Sequence, residues 1–401
     1  MTRTLFSSAT IVDGTGGQPA EADLVVEDGR IVELGTGLDA DERVDLAGKA
    51  LLPGLFDCHT HVMVSTIDQM RSLQTPFSYR FYKAIHNLEA TLRIGITTVR
   101  DAGGADLGLK QAVEDGLIRG PRMQISLRMI SQTGGHGDPW TVSGGDVHFF
   151  QPHPGVPETL VDGTDEMRRT VRRLVRMGAD VIKVATSGGV LSPRDKPTHA
   201  HFRLEELEAL VEEATAAGIF VMAHAQAAPG IKNAIRAGIR SIDHGIYLDD
   251  EAIGLMLERG TWLVPTLVAP RGVIDAADAG AAIPDASVAK AREVVETHRA
   301  SFAAAVEAGV RIAMGTDSGV TPHGANLREL ELMVEGGMTP MQAIEATTRS
   351  AAELMGLEDE LGTLEPGKRA DLVVVDGDPL ELTGLSDRIH AVYQDGRLVS
   401  S

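Results

Sequence analysis

The middle of the chain alternates short apolar runs with amphipathic stretches. Between the apolar runs, residues 165–177 and 203–217 place apolar side chains at helical spacing, and each stretch ends at a glycine. Strands that alternate with helices predict βαβ units and a parallel sheet. Eight such units over roughly 250 residues predict a (β/α)8 TIM barrel. The eight predicted strands are residues 55–62, 96–101, 123–127, 181–186, 219–225, 241–245, 261–266 and 311–317.

Both ends of the chain show a different pattern, with short apolar runs around tight turns. Asp28-Gly29 and Asp395-Gly396 each lie between two such runs. An Asp-Gly pair in this position is a hairpin signal. We therefore predict an α/β protein in which the two ends meet beside the barrel. The predicted domains are a composite β-sandwich of residues 1–54 and 359–401, and a barrel of residues 55–358.

Composition and charge narrow the function classes. The hydrophobic fraction of 43% and the charged fraction of 23% are ordinary for a globular protein. The net charge of −20 argues against nucleic acid or an anionic membrane as a partner. The single cysteine, Cys58, excludes an intramolecular disulfide, and we expect it to pack against the helices. The chain has no apolar run long enough for a membrane span and no signal-peptide pattern, so we expect a cytoplasmic protein.

Chemistry-bearing side chains follow the predicted strands at the ends where such barrels carry their active sites. His59 and His61 lie two positions apart in the first strand, so their side chains point to the same side. Lys183 lies within the apolar fourth strand, although lysine is seldom buried without a partner. The fifth, sixth and eighth strands end with His224, His244 and Asp317.

Each of these residues alone has a second interpretation. The histidines could be buried polar residues with satisfied hydrogen bonds, and Lys183 could form an inward ion pair with Asp317 or Asp243. Together, however, the imidazole and carboxylate groups are ligands that zinc and similar divalent metals favour. A buried lysine amine beside cations has a lowered pKa and can react with CO2, which gives a carbamate able to bridge two metal ions. The combination therefore indicates a metal centre.

The sequence resembles the amidohydrolase superfamily of metal-dependent hydrolases over nearly its whole length. Within that superfamily it is most similar to binuclear prolidase-like enzymes, which split dipeptides and N-acyl amino acids. Related enzymes include hydrolases of ochratoxin and of urea or carbamate herbicides, and the imidazolonepropionases, in which the fourth strand lacks the lysine. The motifs that carry the resemblance are residues 52–61 (LPGLFDCHTH), 100–106 (RDAGGAD), 131–138 (SQTGGHGD), 182–189 (IKVATSGG), 221–224 (VMAH), 243–245 (DHG) and 361–376 (LGTLEPGKRADLVVVD).

The resemblance implies two divalent metal ions, with zinc as the expected metal. It implies that His59, His61 and Asp317 bind the more buried ion and that His224 and His244 bind the other. N6-carboxylated Lys183 and a hydroxide would bridge the two ions. Since the mononuclear relatives lack the lysine, Lys183 favours the binuclear centre.

The implied function is hydrolysis of the amide bond of a small N-acyl amino acid or dipeptide. The bridging hydroxide would attack the carbonyl carbon, and Asp317 would pass its proton to the leaving nitrogen. The same centre would also serve a hydrolase of ureas, carbamates, lactones or organophosphates. A distant alternative is a non-catalytic scaffold that keeps the barrel for assembly.

Two residues are predicted to contact substrate from the edge of this centre. His136 lies in the glycine-rich segment 133–138, where small neighbours let a ligand approach, and it is our candidate catalytic donor to the oxyanion. A loop histidine that only packs is the alternative. Gln226 stands where prolidase-like relatives often carry a tyrosine that meets the substrate, and glutamine can still donate a hydrogen bond.

Long loops should supply specificity. The aromatic residues of loop 129–163, among them Trp140, could line an apolar leaving-group pocket or form a subunit contact, and we expect a homo-oligomer. Arg271 and His323 are further predicted substrate contacts. A substrate carboxylate could also be held after the fourth strand, although solvation at the surface is the common alternative for such residues: Arg194, Lys196, His199 and His201.

Overall fold

The computed structural model describes residues 2–192 and 195–401. Its strands are β1 (Thr4–Ile11), β2 (Ala20–Glu27), β3 (Arg30–Gly35), β4 (Glu42–Asp45), β5 (Lys49–Pro53), β6 (Leu55–Thr60), β7 (Ile96–Asp101), β8 (Arg122–Ile125), β9 (Val181–Ala185), β10 (Phe220–Ala225), β11 (Ser241–His244), β12 (Trp262–Val264), β13 (Leu372–Asp376), β14 (Ile389–Gln394) and β15 (Arg397–Ser400).

Helices separate the strands of the middle segment, as the alternating pattern predicts. They are α1 (Gln69–Gln74), α2 (Tyr79–Arg93), α3 (Leu107–Glu114), α4 (Thr164–Arg176), α5 (Leu204–Ala216), α6 (Ala228–Ala237), α7 (Asp250–Arg259), α8 (Val268–Asp278), α9 (Asp285–Ala308), α10 (Arg328–Glu335), α11 (Pro340–Ala346) and α12 (Arg349–Met355). The predicted helices at 165–177 and 203–217 correspond to α4 and α5. None of the described helices is long and apolar enough to cross a membrane.

The strands of the middle segment pair in parallel, which confirms the α/β class. β6, β7 and β8 form one sheet, and β9, β10, β11 and β12 form a second. A parallel bridge between Ile130 and Val184 links the two sheets. Nearly every residue of β6, β7, β9, β10 and β11 is buried. Continuous apolar runs are the pattern expected of parallel strands that are covered on both faces.

The prediction of a regular eighth strand at residues 311–317 is wrong. Ile312 forms only a single parallel bridge to β12. The Met314 N–H then donates to the carbonyl of Ala346, 2.8 Å away, instead of to a neighbouring strand. Asp317 has φ 60°, which ends the extended conformation. The segment therefore lies beside β12 and β6 without a continuous hydrogen-bond ladder.

Strands from both ends of the chain share one eight-stranded sheet. Its order is β15-β14-β13-β5-β1-β2-β3, with β4 paired to β1. The predicted hairpins are confirmed, with Asp28-Gly29 joining β2 to β3 and Asp395-Gly396 joining β14 to β15. All four turn residues have positive φ, as a two-residue hairpin turn requires. The sandwich architecture and the domain boundaries at 54/55 and 358/359 stay predictions.

Cys58 packs as the sequence predicts. Its side chain is fully buried and belongs to an apolar cluster with Trp262 of β12 and with Ala351 and Met355 of α12. Burial raises the pKa of its thiol to about 12. The cysteine is therefore a neutral apolar packing residue on the side of β6 opposite to His59.

The turn at Gly396 tests the contact between the two chain ends. A Cβ on Gly396 would lie 2.7 Å from Cγ1 of Val26, whereas a Cβ on Gly48 would meet nothing within 4 Å. Both glycines have positive φ, of 70° and 77°. Gly48→Ala should cost about 1 kcal/mol from backbone strain alone, and Gly396→Ala about 1–3 kcal/mol more from overlap. Urea unfolding of the two variants measures the difference, and equal losses would contradict the contact.

Candidate metal centre

One cavity of about 200 Å³ collects the predicted metal ligands. They reach it from the carboxyl-terminal ends of different strands, because parallel strands present these ends on one side of the fold. The Lys183 side chain is fully buried, and Asp317 lies just beyond the irregular eighth segment. The six predicted ligands that line the cavity are His59, His61, Lys183, His224, His244 and Asp317.

The imidazoles form a continuous row along the cavity. The ring centroids of His59 and His61 are 5.4 Å apart, those of His59 and His244 are 5.0 Å apart, and those of His224 and His244 are 4.6 Å apart. Oδ1 of Asp317 lies 3.2 Å from Nε2 of His61 and 3.4 Å from Nε2 of His59. One donor atom each from His59, His244 and Asp317 lies within 4.8 Å of the others, close enough for a shared metal ion.

The protonation states of these groups suit a cation. Burial lowers the pKa of His224 and of His244 well below the ordinary value, so both imidazoles are neutral. Burial opposes the charged form of Asp317, but His59 and His61 outweigh it and hold the pKa of this carboxyl well below its usual range. Burial opposes the charged form of His61, but Asp317 outweighs it and raises the pKa of that imidazole. The neutral imidazoles of His224 and His244 and the ionised carboxylate of Asp317 are in the forms that bind divalent metals, so these three donors fit such an ion.

Hydrogen bonds to Nδ1 fix the orientation of two of the rings, those of His61 and His244. Nδ1 of His61 lies 2.8 Å from the carbonyl oxygen of Gly103, and Nδ1 of His244 lies 2.7 Å from Oγ1 of Thr266. Each contact leaves Nε2 available on the other side of the ring. This is the arrangement in which metal-binding histidines are held by groups that do not themselves touch the metal.

Lys183 forms the ion pair that the sequence offered as its second interpretation. Its Nζ donates to Oδ2 of Asp243, 2.8 Å away. The other carboxylate oxygen of Asp243, Oδ1, accepts hydrogen bonds from Ser241 at 3.0 Å and from Arg100 at 3.4 Å. Burial nevertheless lowers the pKa of the Lys183 amine. Burial opposes ionisation of Asp243, but Lys183 and Arg100 outweigh it and lower the pKa of the carboxyl. Nδ1 of His59 also lies 2.8 Å from Oδ2 of Asp243, but the two atoms are not aligned for a hydrogen bond.

A second buried carboxylate, which the sequence reasoning missed, supports this end of the fold. Asp57 accepts hydrogen bonds from the His59 N–H, from the N–H and hydroxyl of Thr316, and from the Asn326 amide. It thereby joins β6 to the irregular eighth segment. Its place within the motif 52–61, in a strand whose other side packs against helices, was the available signal.

His136 lies in the cavity wall, as the sequence predicts. Its ring stacks on that of His224 with centroids 4.1 Å apart, and its Nδ1 lies 2.8 Å from Oγ of Ser192 and 3.4 Å from Oδ2 of Asp195. Burial opposes ionisation of Asp195, but His136 outweighs it and lowers the pKa of the carboxyl to about 2. A Cβ on Gly189 would lie 2.2 Å from the His136 ring, so only glycine leaves room for the ring here.

The other predicted substrate contacts divide into two groups. Gln226 is buried in the cavity wall, and its Oε1 has no hydrogen-bond partner in the described part of the chain. Trp140, Arg271 and His323 are not among the described residues that line the cavity. Trp140 is 46% exposed, and the imidazole of His323 contacts the Val64 carbonyl instead. Contacts from these three residues to a substrate stay predictions.

Three of the residues proposed to hold a carboxylate after the fourth strand, Lys196, His199 and His201, are not among the described residues that line the cavity. Lys196 and His199 are exposed. His201 is buried, and burial lowers the pKa of its imidazole to about 4, so it carries no charge at neutral pH. Arg194 lies outside the described residues.

The long loop after β8 supplies an apolar wall. Phe149 and Phe150 line the cavity, and the ring of Phe150 lies 5.3 Å from that of His61. Gly104 makes room for Phe150, because a Cβ there would lie 2.9 Å from its ring. Arg128, which directly follows the predicted third strand, also lines the cavity and was missed. Phe149 and Phe150 therefore bring aromatic rings from this loop to the cavity wall, which agrees with the first of the two interpretations of these residues.

Comparisons with known proteins agree with these features. The sequence pattern of the amidohydrolase family matches residues 50–399. Ochratoxinase of Aspergillus niger is 35% identical over 399 residues, which cover 94% of this chain and 82% of that protein. Imidazolonepropionase of Paracoccus denitrificans is 28% identical, with 94% of both chains covered. A crystal structure of a Xaa-Pro dipeptidase with bound methionine in the active site matches with TM-score 0.91 and 35% identity, over 100% of both chains.

A buried acid supports the helix that forms another side of the cavity. Glu329 of α10 is fully buried and accepts hydrogen bonds from the N–H groups of Leu267 and Val268, at 2.7 and 2.8 Å. These groups lie at the start of α8, whose Ala269 and Val273 line the cavity. Burial raises the pKa of Glu329 to about 8.

This shift predicts a pH dependence of stability. The folded pKa of Glu329 exceeds the unfolded one, so its stabilising contribution is complete below about pH 4.3 and is lost as the pH rises through 8. The melting temperature should therefore fall more steeply between pH 5 and pH 8 in the wild type than in Glu329→Gln. The control Glu335→Gln changes an exposed residue of the same helix and should keep the wild-type slope. An unchanged slope in Glu329→Gln would contradict the assignment.

Proposed function

Because this chain belongs to the amidohydrolase family, we propose that it is a binuclear metal-dependent hydrolase of the amide bond in a small N-acyl amino acid or dipeptide. Family membership makes it an enzyme that hydrolyses carbon–nitrogen bonds. The observation that carries the finer proposal is the convergence of four imidazoles, Asp317 and Lys183 on one cavity. Similarity to a Xaa-Pro dipeptidase favours an amide substrate over the alternatives.

The proposal includes a closed (β/α)8 barrel and a terminal β-sandwich. Closure is supported by the parallel bridge from Thr60 of β6 to Ser318, and by the bridge from Leu263 of β12 to Ile312. The eighth segment then stands between the last and the first regular strands. The sandwich is supported by the sheet that the two chain ends share and by an apolar cluster that contains Phe6 and Leu372 from opposite ends.

The six cavity ligands would hold two divalent metal ions, for which zinc is the expected metal. The bound ions would polarise the scissile carbonyl and lower the pKa of a water molecule held between them. Lys183 would be N6-carboxylated, by attack of its neutral amine on CO2 with loss of a proton. Two facts support this modification: burial lowers the pKa of the amine, and the side chain lines the cavity beside the imidazoles.

The chain's own groups then have separate tasks in hydrolysis. Asp317 is ionised and faces the cavity, so it would accept the proton of the attacking water and deliver it to the leaving nitrogen. His136, whose Nδ1 is held by Ser192, would donate a hydrogen bond from Nε2 to the developing oxyanion. Gln226 would contact the substrate, and Phe149 and Phe150 would exclude water from it.

A small-molecule substrate, a homo-oligomeric assembly and a cytoplasmic location complete the proposal. The cavity volume of about 200 Å³ supports a small substrate. The net charge of −20 supports the expectation that neither nucleic acid nor an anionic membrane is a partner.

Removal of the proposed bridging group tests the metal centre. The purified wild type should contain close to two equivalents of divalent metal, and Lys183→Ala should lose both metal and activity. Short carboxylic acids such as acetate should partly restore activity because they replace the carbamate. A carbamate carbon signal should appear by NMR after exposure of the wild type to ¹³C-bicarbonate.

The matched control for this variant is Lys232→Ala. Lys232 pairs with Asp249 and Glu251 on the helix surface, so its loss should change neither metal content nor activity. Full activity of Lys183→Ala without any additive would contradict the bridging role.

A substrate panel tests the reaction itself. N-acyl amino acids and dipeptides should be cleaved with kcat/KM about tenfold or more above matched ureas, carbamates, lactones and organophosphates, because the site is proposed to favour amide cleavage. Chelation of the metal should abolish the activity, and added zinc should restore it. Activity confined to the non-amide substrates would overturn the proposed substrate class while leaving the metal centre intact.

A further inference from the structure

We propose that Arg128 binds the free carboxylate of the substrate and so makes the enzyme selective for amides that carry one. The inference rests on the proposed function and names the group that recognises its substrate class. Arg128 lies just beyond β8, is 7% exposed, and lines the same cavity as His136 and Asp317. The cavity volume of about 200 Å³ limits a ligand that reaches both Asp317 and Arg128 to a small molecule.

Arg128 differs from the other cationic side chain at the cavity wall in the partner with which it is paired. Among the described residues that line the cavity, the lysines and arginines are Lys183 and Arg128. Lys183 is paired with the fully buried Asp243. The carboxylate that meets Arg128 is that of Glu158, 3.3 Å away, whose side chain is 57% exposed. Water screens the attraction between Arg128 and so exposed an acid, so this ion pair contributes little to stability.

The remaining contacts of Arg128 are with an imidazole and a backbone carbonyl. Its Nη2 lies 3.2 Å from Nδ1 of His148, and its Nη1 lies 3.5 Å from the carbonyl oxygen of Pro157. A guanidinium has five N–H donors in a rigid fork that matches the two oxygens of a carboxylate. Donors are therefore left for a ligand, and the apolar walls beside them raise the strength of a charge-assisted hydrogen bond.

The backbone before Arg128 is in a strained conformation. Leu127 is buried and has φ 64°, a left-handed conformation that is costly for a residue with a branched side chain. The Arg128 N–H donates to the carbonyl of Ser126, 2.8 Å away, and the carbonyl of Leu127 accepts from Gly104. This sharp turn ends β8 and presents Arg128 to the cavity. Strained residues of this kind persist where the surrounding structure holds them, often at ligand sites.

The competing candidates that lie among the described residues do not fill this role. Lys196 and His199 are exposed, His201 is neutral, and Arg271 does not line the cavity. Gln226 faces the cavity but supplies no charge. In a chain of net charge −20, a buried cation at the cavity wall is the group that favours an anionic substrate.

The test compares two substrates that differ only in charge: an N-acyl amino acid and its C-terminal carboxamide. Wild type, Arg128→Met and Arg128→Lys are measured, with Arg169→Met as the control, since Arg169 is exposed on α4. Arg128→Met should raise KM for the carboxylate substrate about 10–100-fold, and change that for the carboxamide by less than about threefold. The KM of Arg128→Lys for the carboxylate substrate should lie between those of the wild type and Arg128→Met, because an ammonium group lacks the forked donors of a guanidinium. Arg169→Met should match the wild type.

The outcomes separate this inference from the proposed function. Equal effects of Arg128→Met on both substrates, or no effect on either, would overturn the role of Arg128 while the amidase function stands. Should Arg128→Met fail to fold, the KM values of Arg128→Lys are used instead. A rise in KM for the carboxylate substrate alone supports the role of Arg128, and equal changes for both substrates overturn it. If the wild type cleaves no amide, the proposed function fails. Calorimetric binding of the N-acyl amino acid then tests Arg128 directly: weaker binding in Arg128→Met supports the role, and equal binding overturns it.

Discussion

Burial of charge in the middle of the protein is the constraint on which the site depends. Removal of an ion from water costs several kcal/mol even after relaxation, so a buried ion must be matched by partners. Lys183, Arg100 and Asp243 satisfy this requirement together, since Asp243 accepts hydrogen bonds from both cations. The adjacent imidazoles of His224 and His244 satisfy it differently, by remaining neutral. The result is a group of imidazole lone pairs that faces a cavity together with the ionised carboxylate of Asp317.

Some buried acidic residues stabilise the fold and also position parts of the site. The Asp57 carboxyl group holds both the His59 backbone and Thr316, so it stabilises the contact between β6 and the eighth segment while it positions a predicted metal ligand. Glu329 holds the start of α8 and thereby one wall of the cavity. Substitutions at such residues should affect stability and metal affinity together. For this reason, tests of function are better aimed at groups that face the cavity.

The sequence predicted most of the parallel strands, both hairpins and the six side chains that meet at the cavity, because these depend on local periodicity and on which strand ends carry polar residues. It failed where long-range contacts decide. Residues 311–317 have the composition of a strand, but the Met314 N–H is taken by Ala346, far along the chain. Trp140 was chosen from the loop after β8, yet that loop folds so that Phe149 and Phe150 reach the cavity. Arg128 was missed because its direction depends on the left-handed turn at Leu127.

Anomalous X-ray diffraction from a crystal of the purified enzyme would show whether two metal ions bind in this cavity. Data collected on both sides of the zinc absorption edge would locate each metal ion and identify it. We expect two peaks, one among His59, His61 and Asp317 and one beside His224 and His244, with electron density extending from Nζ of Lys183 to both. A single peak or none, with Lys183 still paired to Asp243 alone, would contradict the proposed binuclear centre.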